Sequence, residues 1–70
     1  MEVEIKMFRI GDKVLFDEYL QGKGSGTIVG YKNKHGYIEW LVESNDLKLT
    51  HGAKNNQWYF IDRHLTIDNS

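Results

Sequence analysis

Apolar and polar residues alternate with period two over most of this chain. Val14 and Phe16 share one side of the run Lys13-Val14-Leu15-Phe16. Ile38, Trp40 and Val42 share one side of Tyr37–Glu43, and Tyr37, Glu39, Leu41 and Glu43 share the other. A period of two marks strands, whose successive side chains leave opposite faces. Ile10-Gly11-Asp12 supplies a turn that feeds the first strand. Thr27 to Lys32 reads as another strand, joined to Tyr37–Glu43 by the polar connection Asn33-Lys34-His35-Gly36, which suits a hairpin. Trp58 to Ile61 restores a strong strand, and Asp62-Arg63-His64 forms a tight turn into a last short strand, Leu65-Thr66-Ile67.

Between these runs lie the breaks. Tyr19-Leu20-Gln21-Gly22-Lys23-Gly24-Ser25-Gly26 carries three glycines at alternate positions, which predicts a mobile or tightly turned loop. From Ser44 to Gln57 the only strong apolar residues are Leu47 and Leu49, so a long loop or an irregular short strand is expected. Val3, Ile5 and Met7 alternate with Glu2, Glu4 and Lys6, which reads as an extra edge strand or a tail over residues 1–7. Asp68-Asn69-Ser70 is expected to fray. No amphipathic stretch of helical length competes, and there are no internal repeats.

The pattern predicts an all-β domain of about five short antiparallel strands. Closure into a small barrel would hide edges that so short a chain cannot cover with helices. The chain has 70 residues, room for one domain over 1–70. The stability margin at this size is thin, so most large apolar residues must enter the core.

Composition narrows the chemistry. There is no cysteine, hence no disulfide framework, no thiolate metal site and no cysteine nucleophile, and the expected compartment is the cytoplasm. The N-terminus lacks the layout of a signal peptide, and no apolar run approaches membrane-spanning length. The net charge of −1 is not that of a non-specific nucleic-acid binder. Locally, residues 21–36 hold Lys23, Lys32 and Lys34 and no acid, whereas residues 37–50 hold Glu39, Glu43 and Asp46 against Lys48.

Three runs carry a family likeness: the opening Ile10-Gly11-Asp12-Lys13-Val14, Gly26-Thr27-Ile28-Val29-Gly30 after the glycine-rich stretch, and the closing Trp58-Tyr59-Phe60-Ile61-Asp62-Arg63-His64-Leu65-Thr66-Ile67. Through them the chain resembles SH3-like barrels of the Tudor and KOW type over most of residues 8–67. The likeness implies a 3₁₀ turn before the last strand, and it specifies fold far better than function. Ile61 stands where SH3 domains often place a proline, which argues against proline-rich peptide recognition. In size and style the chain also resembles small accessory proteins of bacteriophages and mobile elements.

Catalysis would need convergent groups. His35, His51 and His64 are more than ten residues apart, and with Asp46 and Asp62 they match no catalytic or zinc-ligand spacing. No catalytic residue, metal ligand or cofactor is therefore assigned. Asp12 and Asp62 read as turn formers, and Arg63 and His64 as a solvated turn.

Aromatic residues are more informative. Phe16, Trp40 and Phe60 fall on faces assigned to the core. Tyr31, Tyr37 and either Trp58 or Tyr59 should fall on the opposite face, where half-exposed tyrosines anchor interfaces. In barrels of the resembled type the loop after the first strand and the following hairpin line the ligand groove. That likeness would bring Tyr19, Lys23, Tyr31, Lys32, Lys34 and Tyr37 together as a partner-binding set.

Rings interleaved with lysines could stack and neutralise single-stranded nucleic acid. The same rings rimmed by Lys34, Glu39 and Glu43 suit a folded protein. An aromatic cage for a methylated lysine or arginine is a third reading, though no residue fixes one. Net acidity favours the second: a non-enzymatic protein-binding module, of the kind a phage or mobile element uses to dock on and modulate a host protein. A nucleic-acid-binding domain using the basic hairpin is the alternative. Lysines on one continuous face would favour nucleic acid, and scattered lysines a protein. The assembly state expected is a monomer or weak homodimer.

Overall fold

The computed structural model describes residues 8–48 and 55–69. Its strands are β1 (Lys13–Glu18), β2 (Gly22–Lys34), β3 (Tyr37–Glu43), β4 (Gln57–Ile61) and β5 (Leu65–Ile67), with a 3₁₀ turn at Asp62–His64 before β5. They form one antiparallel sheet in the order β4-β3-β2-β1-β5. The fold class is therefore all-β, as the period-two pattern predicts. The segment 1–7 and its possible extra strand lie outside the described residues, as do Leu49 and His51.

Closure into a barrel is not achieved by backbone pairing. β4 and β5 are the two ends of the sheet, and no ladder joins them. The sheet nevertheless curls, because β2 belongs to two ladders: Gly22–Thr27 pairs with β1, and Thr27–Lys34 pairs with β3. Curling brings β1 against β4 through side chains. Phe16 stacks on Phe60 with ring centroids 4.9 Å apart, and the Trp58 indole Nε1 donates to the Glu18 carboxylate at 2.9 Å. The other Glu18 oxygen accepts from the Leu20 and Gln21 amides, so one acid fixes the Tyr19–Gln21 turn and ties it to β4. Trp58→Phe should keep the packing and lose this bond, lowering stability by about 1–2 kcal/mol in a urea melt, as for other hydrogen bonds to charged groups.

The core holds Val14, Phe16, Ile28, Trp40, Val42, Phe60 and Leu65, with Phe8 and Leu47 closing its ends. Phe16, Trp40 and Phe60 are thus inside, as their strand faces predict. Phe8 sets its ring edge against Trp40 at 5.4 Å.

The structure corrects several local expectations. The glycine-rich stretch is strand, not loop: Gly22, Gly24 and Gly26 are paired with Glu18, Phe16 and Val14. A Cβ on Gly24 would lie 2.5 Å from the Phe16 ring and one on Gly26 2.6 Å from the Glu43 carbonyl, so these glycines admit neighbours that any side chain would exclude. Asp46 and Ser44 come down on the same stretch. The Ser25 amide donates to Asp46 at 3.0 Å, the Ser44 hydroxyl donates to the Ser25 carbonyl, and the buried Gln21 amide pairs with both backbone groups of Lys48.

The hairpin connection is shorter than expected. β2 runs to Lys34 and only His35 and Gly36 turn, both at positive φ (51° and 88°), as a type I′ turn requires. Asp12 does form its turn, accepting from the Arg9 amide at 2.8 Å. At Asp62 it is the backbone carbonyl, not the side chain, that accepts from Leu65. Just past β5 the Asp68 amide donates to the Lys13 carbonyl at 2.9 Å.

Candidate functional site

The sheet face turned away from the core gathers the polar sides of β2, β3 and β4. Lys34 pairs with Tyr37, Lys32 with Glu39 and Glu39 with Ile61, and Leu41 lies between Gly30 and Tyr59. Side chains on directly opposed residues share a face, so Lys32, Lys34, Tyr37, Glu39, Tyr59 and Ile61 form one surface.

Electrostatics centre on Glu39. Its side chain is about four-fifths covered (18% exposed), and Lys32 Nζ lies 3.7 Å from Oε1. That is within ion-pair range but too long for a hydrogen bond, and Oε1 is shielded from solvent without a donor. The lysine is shared: its Nζ also sits 4.2 Å from the centroid of the Tyr59 ring. Beside them opens a cleft of about 390 Å³ whose walls include Tyr19, Leu20, Glu39, Tyr59, Ile61 and His64. Tyr19 is 96% exposed at its rim, held out by the Glu18-capped turn.

The six residues singled out from sequence divide into three places. Lys32, Lys34 and Tyr37 share the outer face, and Tyr19 joins them across the cleft. Lys23 lies elsewhere, 4.0 Å from Asp17 in a solvated pair beside a second, wider cleft of about 580 Å³ that Arg63, His64 and Asp46 also line. Tyr31 is on the opposite side of the sheet, its ring 5.7 Å from that of Trp40. A β-bulge between Ile28 and Gly30 is responsible: the extra residue inverts the alternation, so Tyr31 shares the face of Trp40 rather than that of Tyr37.

Sequence reasoning left Trp58 and Tyr59 undecided. Trp58 packs against the core and Tyr59 is the outward ring. Glu39 enters that reasoning only as a rim charge, and its place opposite Lys32 across the hairpin is the signal the sequence offers. Among the described residues no group of three or more His, Asp or Glu is placed to hold a metal ion, and no helix is long and apolar enough to cross a membrane.

Comparison with protein families, with curated proteins and with solved structures returns no match to this chain.

Proposed function

We propose that this chain is a non-enzymatic protein-binding module that docks its outer β3–β4 face on a folded partner. The observation that carries the reading is the Glu39 carboxylate, half satisfied by Lys32 and ringed by the exposed Tyr19, Tyr37 and Tyr59. A buried acceptor awaiting a donor, set among rings that bring apolar area at small entropic cost, is how interface anchors are built.

The lysines support the same choice over nucleic acid. Lys32 is matched by Glu39 and Lys23 by Asp17, and Lys48 lies beside Gly22, away from Lys34 at the hairpin tip. Such scattered cations would neutralise few phosphates together. In the accessory-factor reading, the partner is a host protein that this module modulates.

Tyr37→Ala and Tyr59→Ala should each weaken partner binding by more than ~1 kcal/mol while leaving the melting curve nearly unchanged. The experiment is affinity capture with the tagged full chain, with and without nuclease and at raised salt, repeated with both variants. A stoichiometric protein that survives both treatments and is lost by the variants supports the reading. Material that disappears with nuclease would move the site to Lys32 and Lys34 and make the module a nucleic-acid binder.

A further inference from the structure

The hairpin formed by β2 and β3 projects beyond the core, and one edge of it is open. In a two-residue hairpin the pair flanking the turn exchanges both of its backbone hydrogen bonds, and bonded and non-bonded pairs then alternate. Lys34 and Tyr37 flank His35-Gly36. Lys34, Lys32 and Gly30 therefore turn their N–H and C=O toward β3, and those of Asn33 and Tyr31 face the opposite edge. Farther along that edge Ile28 is satisfied: its amide donates to the Asp12 carbonyl at 2.9 Å, and its carbonyl accepts from Gly11 at 2.7 Å. The β1 ladder stops at Lys13 and Thr27, and beyond it the edge groups of Tyr31 and Asn33 have no partner among the described residues.

The side chains around this edge are segregated. On the core side Tyr31 and Ile38 remain exposed (59% and 38%), because the hairpin outruns the residues that cover Trp40. Lys34 stands on the outer side at the tip, and Arg9 lies exposed next to Ile10 at the base. From Phe8 to Ile10 and from Val29 to His35 the chain carries Arg9, Lys32 and Lys34 and no acid. An unpaired edge with one apolar side and one basic side is a template for an added strand.

We propose that the β2 edge from Val29 to Lys34 is a strand-addition site for an extended segment of a partner protein in which apolar and acidic residues alternate. The apolar set lies against Tyr31 and Ile38, the acidic set faces Lys34 and the outer side, and the backbone pairs with Tyr31 and Asn33. Charge selects this occupant over a second copy. Antiparallel self-pairing with Tyr31 opposite Asn33 would set Lys32 directly opposite its own counterpart, a like-charge pair that destabilises a sheet. The inference rests on the chain being a protein-binding module but uses a different surface from the β3–β4 face, so either can fail alone.

The test is amide hydrogen exchange, read residue by residue by NMR on the full chain. In the free protein Tyr31 and Asn33 should exchange fast while Ile28 and Lys32 are protected. A capped peptide of alternating glutamate and valine, supplied at about ten times its Kd, should slow both edge amides about tenfold, and a lysine–valine peptide at the same concentration should not. Asn33→Pro removes an edge donor where an edge strand tolerates proline; the fold should persist and the peptide should no longer protect Tyr31. Lys34→Glu, which leaves the backbone untouched, should weaken the same peptide severalfold.

Absence of added protection overturns the proposal. So does a response confined to Tyr37 and Tyr59, which would place the peptide on the β3–β4 face and leave the proposed function standing. Edge amides already slow in the free protein would also overturn it, identifying a second copy if dilution releases them and another part of this chain if it does not.

Discussion

Trp40→Ala is expected to abolish cooperative folding at room temperature or to leave a domain that melts just above it. The indole is the hub of one end of the core: Phe8 meets it edge-on, Tyr31 lies tilted against it, and Phe60 is its partner on β4. Truncation costs about 3–5 kcal/mol through lost burial and the cavity left behind. A domain of this length holds only about 4–10 kcal/mol in total. The loss is compounded at Phe8, whose ring precedes β1 and packs edge-on against the indole. Circular dichroism melts of Trp40→Ala and Tyr37→Ala, side by side, test the division of β3 into a structural and a binding face; equal melting temperatures would refute it.

Gly26→Ala should be nearly as damaging, although it adds a single methyl group. The new Cβ would lie 2.6 Å from the Glu43 carbonyl oxygen, 2.6 Å from a Val42 methyl and 2.9 Å from Ser44 Cβ. A flexible side chain could move aside, but the Glu43 backbone carbonyl, held in the β3 ladder between β2 and β4, cannot. Overpacking of this kind costs about 2–3 kcal/mol, roughly 10–20 °C in Tm for so small a domain. Gly30→Ala is the control. Its nearest neighbour would be a Leu41 methyl at 3.7 Å, an ordinary contact. There the reduced freedom of the unfolded chain should stabilise by about 0.4–1 kcal/mol. If Gly26→Ala melts like the wild type, the crowding over the glycine-rich stretch is wrong.

Much of the fold was legible because β1, β3 and β4 each bury one side of an alternating run, and Phe16, Trp40 and Phe60 occupy that side. The glycine-rich stretch misled for a physical reason. Glycine at alternate positions is also what a strand needs when one of its faces is closely approached, and residues 22, 24 and 26 share that face. Composition alone does not separate the two causes; the neighbours that crowd Gly24 and Gly26 come from β1 and from Val42–Asp46, distant in sequence.

The candidate site was half legible. Lys32, Lys34 and Tyr37 follow from the hairpin, and Tyr19 from its exposed turn. Unbroken alternation places Tyr31 on the wrong face, because the bulge falls at Val29, a residue that looks like any other strand residue. Tyr59 and Glu39 gain their roles only when β4 is laid beside β3, a pairing that the intervening loop separates in sequence.

The bulge also has an evolutionary reading. It acts as a phase element in β2: everything before it keeps one parity, and everything from Gly30 to the hairpin tip keeps the other. Were the bulge to flatten into a regular ladder running on from Ile28 and Val42, Tyr31 would come opposite Glu39 on the side of Tyr59, and Lys32 would pass to the side of Trp40. A one-residue slip of register, invisible in composition or charge, would thus exchange the chemistry of two surfaces at once. Related chains of equal net charge could therefore differ in specificity through strand phase alone.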